Sequence, residues 1–296
     1  MARQTPRFGA HLSVAGGLHL AFDAARQARC DALQIFVKNQ RQWSAPSLSP
    51  DAVRAFREHP EAARITPVIA HASYLLNLAS ADRGGRAKSL AALTDELQRC
   101  EALGLAGLVL HPGSAADSDM SSAIRRIAAA LNDVLAAVPD GRCAILLETT
   151  AGQGSAVGWR FEHLADILAG VEAGDRVGVC LDTCHLFAAG YDFRSADDYA
   201  SMITELDRQV GIQRVRCIHV NDSVKPLASR VDRHAHIGEG EIGLAGFRHF
   251  VNDSRWAGLP MILETPKGED DKGRDYDAVN LSRLRRLIRR TQASDA

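Results

Sequence analysis

Short runs of consecutive apolar, often β-branched residues recur along this chain and alternate with longer stretches whose apolar positions repeat at helical spacing. The short runs read as strands buried on both faces, at 7–11, 32–37, 66–71, 107–111, 143–148, 177–182, 215–220 and 261–265. Longer stretches, for example residues 17–29, 86–103, 122–138, 161–169, 196–210, 244–252 and 277–290, read as amphipathic helices. Eight strands each followed by a helical segment, with no linker or low-complexity break, predict an α/β protein: a (β/α)8 TIM barrel forming one domain over residues 1–296. An open doubly wound sheet is the competing arrangement, but no G-x-G-x-x-G follows the first strand.

The polar residues that interrupt this pattern fall at the ends of the apolar runs. His71 ends the third run and His111 the fourth, Glu148 the fifth, and Asp182 the sixth, with His185 three residues on. His219 and Glu264 lie near the ends of the seventh and eighth, and Asp232 and His234 sit at D-x-H spacing in the long loop between them. In a TIM barrel those positions share one face, where barrel enzymes place their chemistry. A single Asp after a strand is an ordinary helix cap, and a single buried His an ordinary core residue. Nine such residues at one barrel mouth are different, because crowded carboxylates repel unless cations stabilise them. Five imidazoles and four carboxylates without thiolates suit zinc, with manganese or iron as substitutes, and nine donors suffice for three ions. His11 is placed at the mouth without a ligand role, and His236 as a support for the ligands.

The overall composition is that of an ordinary globular protein: 296 residues, 46% hydrophobic and 24% charged. The N-terminal stretch shows no apolar signal core and no run is long enough to span a bilayer, and the six cysteines form no C-x-x-C pair. They read as reduced, buried residues of a cytoplasmic protein with no membrane partner. The formal net charge of −1 argues against a nucleic-acid partner until the ions are counted. Three divalent cations contribute six positive charges and carry the balance from −1 to about +5. Two loops at the same end then gain meaning: KNQRQW, residues 38–43, supplies positive charge, amides and an aromatic, and SYLLN, residues 73–77, supplies apolar wedges. Such a pair suits gripping and kinking a duplex.

Taken together, GAHLSVAGG, KNQRQW, HASYLLNLA, HPGS, LETTAGQGS, GVCLDTCHLFAAGYD, HVNDS, DRHAHIGEGEIG and LETP resemble the endonuclease IV type of apurinic/apyrimidinic (AP) endonuclease, from Gly9 to the last helix. The resemblance implies a DNA-repair enzyme whose trinuclear zinc site cuts duplex DNA 5′ to abasic sites, leaving a 3′-hydroxyl and a 5′-deoxyribose phosphate; a monomer is expected. It implies one zinc on His71, His111 and Glu148, a second on Glu148, Asp182, His219 and Glu264, and a third on His185, Asp232 and His234. Glu148 is expected to orient the attacking water and accept its proton, and Asn39, Arg41, Tyr74 and Leu75 to enter the DNA. Thr149 and Val224 depart from the family pattern, at positions expected to touch no ligand. A sugar isomerase on a similar barrel and a non-catalytic damage-binding protein are the rival readings. The first needs fewer ligands, and the second needs no complete set.

Overall fold

The computed structural model describes residues 5–116 and 118–289. Eight parallel strands close into a barrel: β1 (Arg7–His11), β2 (Ala32–Ile35), β3 (Val68–His71), β4 (Gly107–Leu110), β5 (Ala144–Glu148), β6 (Val177–Asp182), β7 (Val215–His219) and, after two short strands, β10 (Pro260–Leu263). Sequence order is spatial order, and β10 closes the ring on β1 with Arg7 opposite Pro260 and Ala10 opposite Leu263. The (β/α)8 expectation therefore holds. The outer layer comprises α1 (Leu20–Gln27), α2 (Pro50–Arg57), α3 (Arg83–Leu103), α4 (Met120–Ala137), α5 (Phe161–Ala169), α6 (Thr183–Ala189), α7 (Ala196–Gln209), α8 (Gly243–Asn252) and α9 (Tyr276–Leu287). No helix among the described residues is long and apolar enough to cross a membrane.

Side chains on a strand alternate between faces, and this alternation builds two cores. Outward-facing residues such as Leu33, Ala70, Leu108, Ile145 and Leu147 pack against the helices. Inward-facing Ala32, Ile69, Val109, Ala144, Leu146, Cys180, Cys217 and Ile262 fill the barrel interior. The strands are buried on both faces, which is why they read as unbroken apolar runs.

Several boundaries differ from the sequence expectation for identifiable reasons. The third strand starts at Val68 rather than residue 66, since Pro67 has no N–H to donate to a ladder. The last begins at Pro260 and stops at Leu263, because the Glu264 N–H donates to Asn221 Oδ1 (2.7 Å) instead of to a neighbouring strand. Helix α3 starts at Arg83, three residues early, where Asp82 caps the amides of Gly84 and Gly85. Helix α2 is the segment expected after the second strand, begun by Ser49 as cap with Pro50 in the first turn, and α6 is additional, since α7 already follows β6. Residue 290, expected in the last helix, lies outside the described residues.

Candidate metal centre

The residue two positions after each inward-facing core residue points inward as well, one layer nearer the carboxyl end of the barrel. On six strands that position holds an expected ligand: Ile69 leads to His71, Val109 to His111, Leu146 to Glu148, Cys180 to Asp182, Cys217 to His219 and Ile262 to Glu264. The two remaining strands supply His11 and Gln34. An apolar floor is thus covered by a ring of eight polar side chains.

Glu148 lies at the centre of this ring and is fully buried. Its Oε2 lies 3.1 Å from His71 Nε2 and 3.0 Å from His111 Nε2, while its Oε1 lies 2.9 Å from His219 Nδ1 and 3.4 Å from His185 Nδ1. The two oxygens therefore face different sets. On the second side, His219 Nδ1 is 3.1 Å from Glu264 Oε2 and 4.0 Å from Asp182 Oδ2. The third cluster is brought together by α6 and the loop after β7. Asp182 caps α6 by accepting the His185 N–H at 2.7 Å, so the cap seen in the sequence also fixes His185 beside the ring. The long loop returns as a hairpin, β8 (Asp222–Ser223) against β9 (His234–Ala235). Asp232 is then 3.1 Å from His185 Nε2 and 3.3 Å from His234 Nε2.

The donors are clustered closely enough for cations. Two donors about 2.0–2.2 Å from one zinc lie roughly 3.3–3.6 Å apart at the tetrahedral angle, a few tenths of an ångström wider than most of these contacts. Donor atoms of His71, His111 and Glu148, and those of Glu148, Asp182, His219 and Glu264, lie within 4.8 Å of one another. Asp182, His185 and His234 form a third such group, so Asp182 stands between the second cluster and the third. The buried Nε2 atoms of His185 and His234 lie beside Asp232 without hydrogen-bond geometry, as expected of nitrogens that share a metal with it. Cys180 with Cys217 and His219, and Cys184 with Asp232 and His234, also come within donor range. Cys180 and Cys217 belong to the apolar floor one layer below the ring, and burial pushes the Cys184 thiol up to about 12.

The far sides of the imidazoles are held. His71 Nδ1 donates to the Ala72 carbonyl (2.7 Å), His185 Nδ1 to that of Thr149 (2.8 Å) and His234 Nδ1 to that of Glu264 (3.1 Å). His219 is held in the opposite sense, with Nε2 against Gln34 Oε1 at 2.8 Å. Each contact occupies one ring nitrogen on the far side and leaves the other as the atom turned to the cluster. Burial opposes charge on Glu148, but His219, His111 and His185 outweigh it and hold the carboxyl well below its ordinary range. Burial likewise opposes charge on His185, where Asp182, Asp232 and Glu148 prevail and raise the ring well above 6.5.

Two expectations need correction. Thr149 does touch ligands, because its hydroxyl accepts the Asp182 N–H at 2.9 Å and its carbonyl orients His185. His236 does not support the cluster. Its ring stacks on Tyr276 at 3.9 Å and its Nδ1 meets Asn280, anchoring α9. Val224 has an exposed side chain, but its N–H donates to the carbonyl of Arg233 (2.9 Å), the residue between Asp232 and His234. Three supporting residues, Gln34, Asn221 and Asp222, carry no ligand signature in the sequence. Asn221 donates to Asp182 Oδ2 (2.7 Å). Buried Asp222 accepts from the amides of Ser223, Gly238, Gly240, Ile242 and Gly243, shaping the loop that bears Asp232 and His234.

Tyr74 overhangs the ring, 60% exposed as a residue, with its aromatic ring 5.1 Å from that of His71. It divides two clefts. One, of about 370 Å³, is lined by His71, His111, His185, Asp232 and Gln153, and the other, of about 790 Å³, by His11, Glu264, Asn39 and Arg41. Leu75 and Arg41 are also exposed beside them, and Asn39 Oδ1 accepts the Arg41 N–H (2.9 Å) to shape its own loop.

The family described as xylose isomerase-like TIM barrel matches residues 22–287. A probable endonuclease 4 of Chloroflexus aggregans is 51% identical, covering 97% of this chain and all of that relative. A probable endonuclease 4 of Geobacter sulfurreducens is 48% identical over 95% of this chain and 94% of its own length. The crystal structure of endonuclease IV from Thermus thermophilus superposes with a TM-score of 0.82 at 40% identity, covering 95% of this chain and 98% of that one. This chain belongs to the endonuclease IV family of AP endonucleases. Membership makes it a hydrolase of DNA repair that depends on metal and acts on DNA. A D-tagatose 3-epimerase-like protein shares the barrel (TM-score 0.72) at only 20% identity, a likeness of fold alone.

Proposed function

We propose that this endonuclease IV family member, acting as a monomeric single domain in the cytoplasm, hydrolyses the phosphodiester 5′ to an abasic nucleotide in duplex DNA. Its products are a 3′-hydroxyl and a 5′-deoxyribose phosphate. Three zinc ions are held, one by His71, His111 and Glu148, one by Glu148, Asp182, His219 and Glu264, and one by His185, Asp232 and His234, sites that manganese or iron also fit. The observation that carries this reading is Glu148, buried with each oxygen turned to a different donor set. Ions bound there supply Lewis-acid activation of water and offset charge on the attacked phosphate and the leaving 3′ oxygen. Glu148 orients the attacking water and takes its proton at a carboxylate oxygen. Six free, buried cysteines suit a reducing compartment.

Asn39, Arg41, Tyr74 and Leu75 enter the duplex beside this centre. Tyr74 and Leu75 wedge the stack open, and Arg41 fills the gap left by the displaced nucleotide. An abasic nucleotide has no base to unstack, so it is the cheapest to extrude. Zinc-loaded protein is tested on a duplex carrying one tetrahydrofuran abasic analogue. The expected product is a nick immediately 5′ to the analogue with a 3′ end that a polymerase extends. An intact duplex, or a nick on the 3′ side, would reject the reading.

A further inference from the structure

Lys38 opens the KNQRQW loop, yet its side chain is only 1% exposed and does not face the DNA side of the barrel mouth as a free cation. Its Nζ lies 3.1 Å from Asp95 Oδ2 and 3.3 Å from Glu96 Oε1, and it donates to the Trp43 carbonyl at 3.1 Å. Glu96, equally buried on α3, turns Oε2 to the other loop and accepts the Ser73 N–H at 3.1 Å. Ser73 Oγ donates to the Gln40 carbonyl at 2.7 Å, which closes the ring, and lies 3.2 Å from the Leu75 amide that donates to it. Arg99, further along α3, donates to the carbonyls of Ala45 and Pro46 (2.9 and 2.8 Å) and pairs with Asp95 at 3.0 Å. A buried ion pair adds little net stability. Here its ends bind the backbones of two separate loops, so what it supplies is geometry.

We propose that Lys38 and Glu96 form a positioning pair that locks the loop carrying Asn39 and Arg41 to the loop carrying Tyr74 and Leu75, giving one preformed surface for gripping the damaged duplex. This rests on the abasic-site reading above. Loops held in their bound shape before DNA arrives spare the complex the ordering cost, so loss of the pair falls on binding.

The test uses the full zinc-loaded chain with Glu96→Gln, Lys38→Met and the double variant, on a duplex and on a short single strand, each with one abasic analogue. For Glu96→Gln the duplex KM rises on the order of tenfold while kcat stays within about twofold. Zinc content and the single-strand rate stay at wild-type values, and trypsin cuts faster after Arg41. In the double variant the effects on duplex KM are less than additive, since both substitutions break the same lock. Unchanged duplex KM and unchanged trypsin resistance would overturn the proposal, as would a fall in kcat with KM intact. If Glu96→Gln does not fold, Lys38→Met carries the test from the other side of the pair, with a KM rise of a few-fold expected and an unchanged KM contradicting it. Wild-type protein that leaves the abasic duplex uncut would reject the abasic-site reading itself.

Discussion

Gln34 Oε1 lies 2.8 Å from His219 Nε2, and the same amide's nitrogen lies 2.6 Å from Glu264 Oε1. One uncharged side chain thus sets the tautomer of one proposed zinc ligand and the orientation of another. It also reaches His11 Nδ1 at 2.9 Å, tying the ring to β1.

Replacing Gln34 by Leu removes both contacts without removing a ligand. Zinc affinity measured by chelator competition should fall about 10–100-fold, the usual cost of losing a partner behind a metal ligand. Wild-type affinity would show that His219 needs no such support.

Glu148→Gln keeps the shape of the bridging residue and removes its charge. Cleavage should fall by on the order of 10²–10⁴-fold, the range for loss of a positioned base. Binding to abasic duplex should weaken far less. Equal losses in rate and in DNA affinity would mean that Glu148 acts in binding rather than in the reaction.

Truncating Tyr74 and Leu75 together to Ala removes the exposed wedge. Binding to abasic duplex should weaken by about 1–3 kcal/mol, on the scale of aromatic–base stacking. A short single strand, which needs little kinking, should be cut nearly as well as before, with metal content unchanged. Tyr74 packs against His71 and His111, so loss of metal together with loss of both activities would make it a support for those ligands instead.

Proton release gives an independent view of the site. His185 is buried, which disfavours its charge, yet Asp182, Asp232 and Glu148 raise its pKa well above 6.5. A raised folded-state value means that the ring's protonation stabilises the metal-free fold below about pH 6.5, and that this contribution fades as pH rises through the higher folded value. A metal ion must displace that proton, so its affinity runs the opposite way and weakens as pH falls. Calorimetry in buffers of different ionisation enthalpy should register protons released when zinc binds near neutral pH. Buffer-independent heats would contradict the charged imidazole.

Much of this arrangement is legible in the sequence, because strand alternation fixes which residue types can share a face. Glu148 and His219 stand out as polar ends of apolar runs, and the barrel rule brings such ends together. Gln34 shows why other parts are not legible. An amide is neither a typical ligand nor a charge, and only the register that places it two residues after inward-facing Ala32 reveals it. Lys38 misleads in the opposite direction. Its charge in a polar loop suggests a solvated DNA contact, but the carboxylates that bury it lie far along the chain on α3. Likewise the role of Asp222 depends on glycine amides many residues later, which no local pattern announces.

Nine side chains are proposed to hold three ions that work as one centre. Zinc returned stepwise to chelated protein, with bound metal and abasic-duplex cleavage followed together, tests this directly. Binding should saturate near three ions per chain, with full activity reached only as the last is filled. Saturation at one ion, or full cleavage after the first equivalent, would contradict the account.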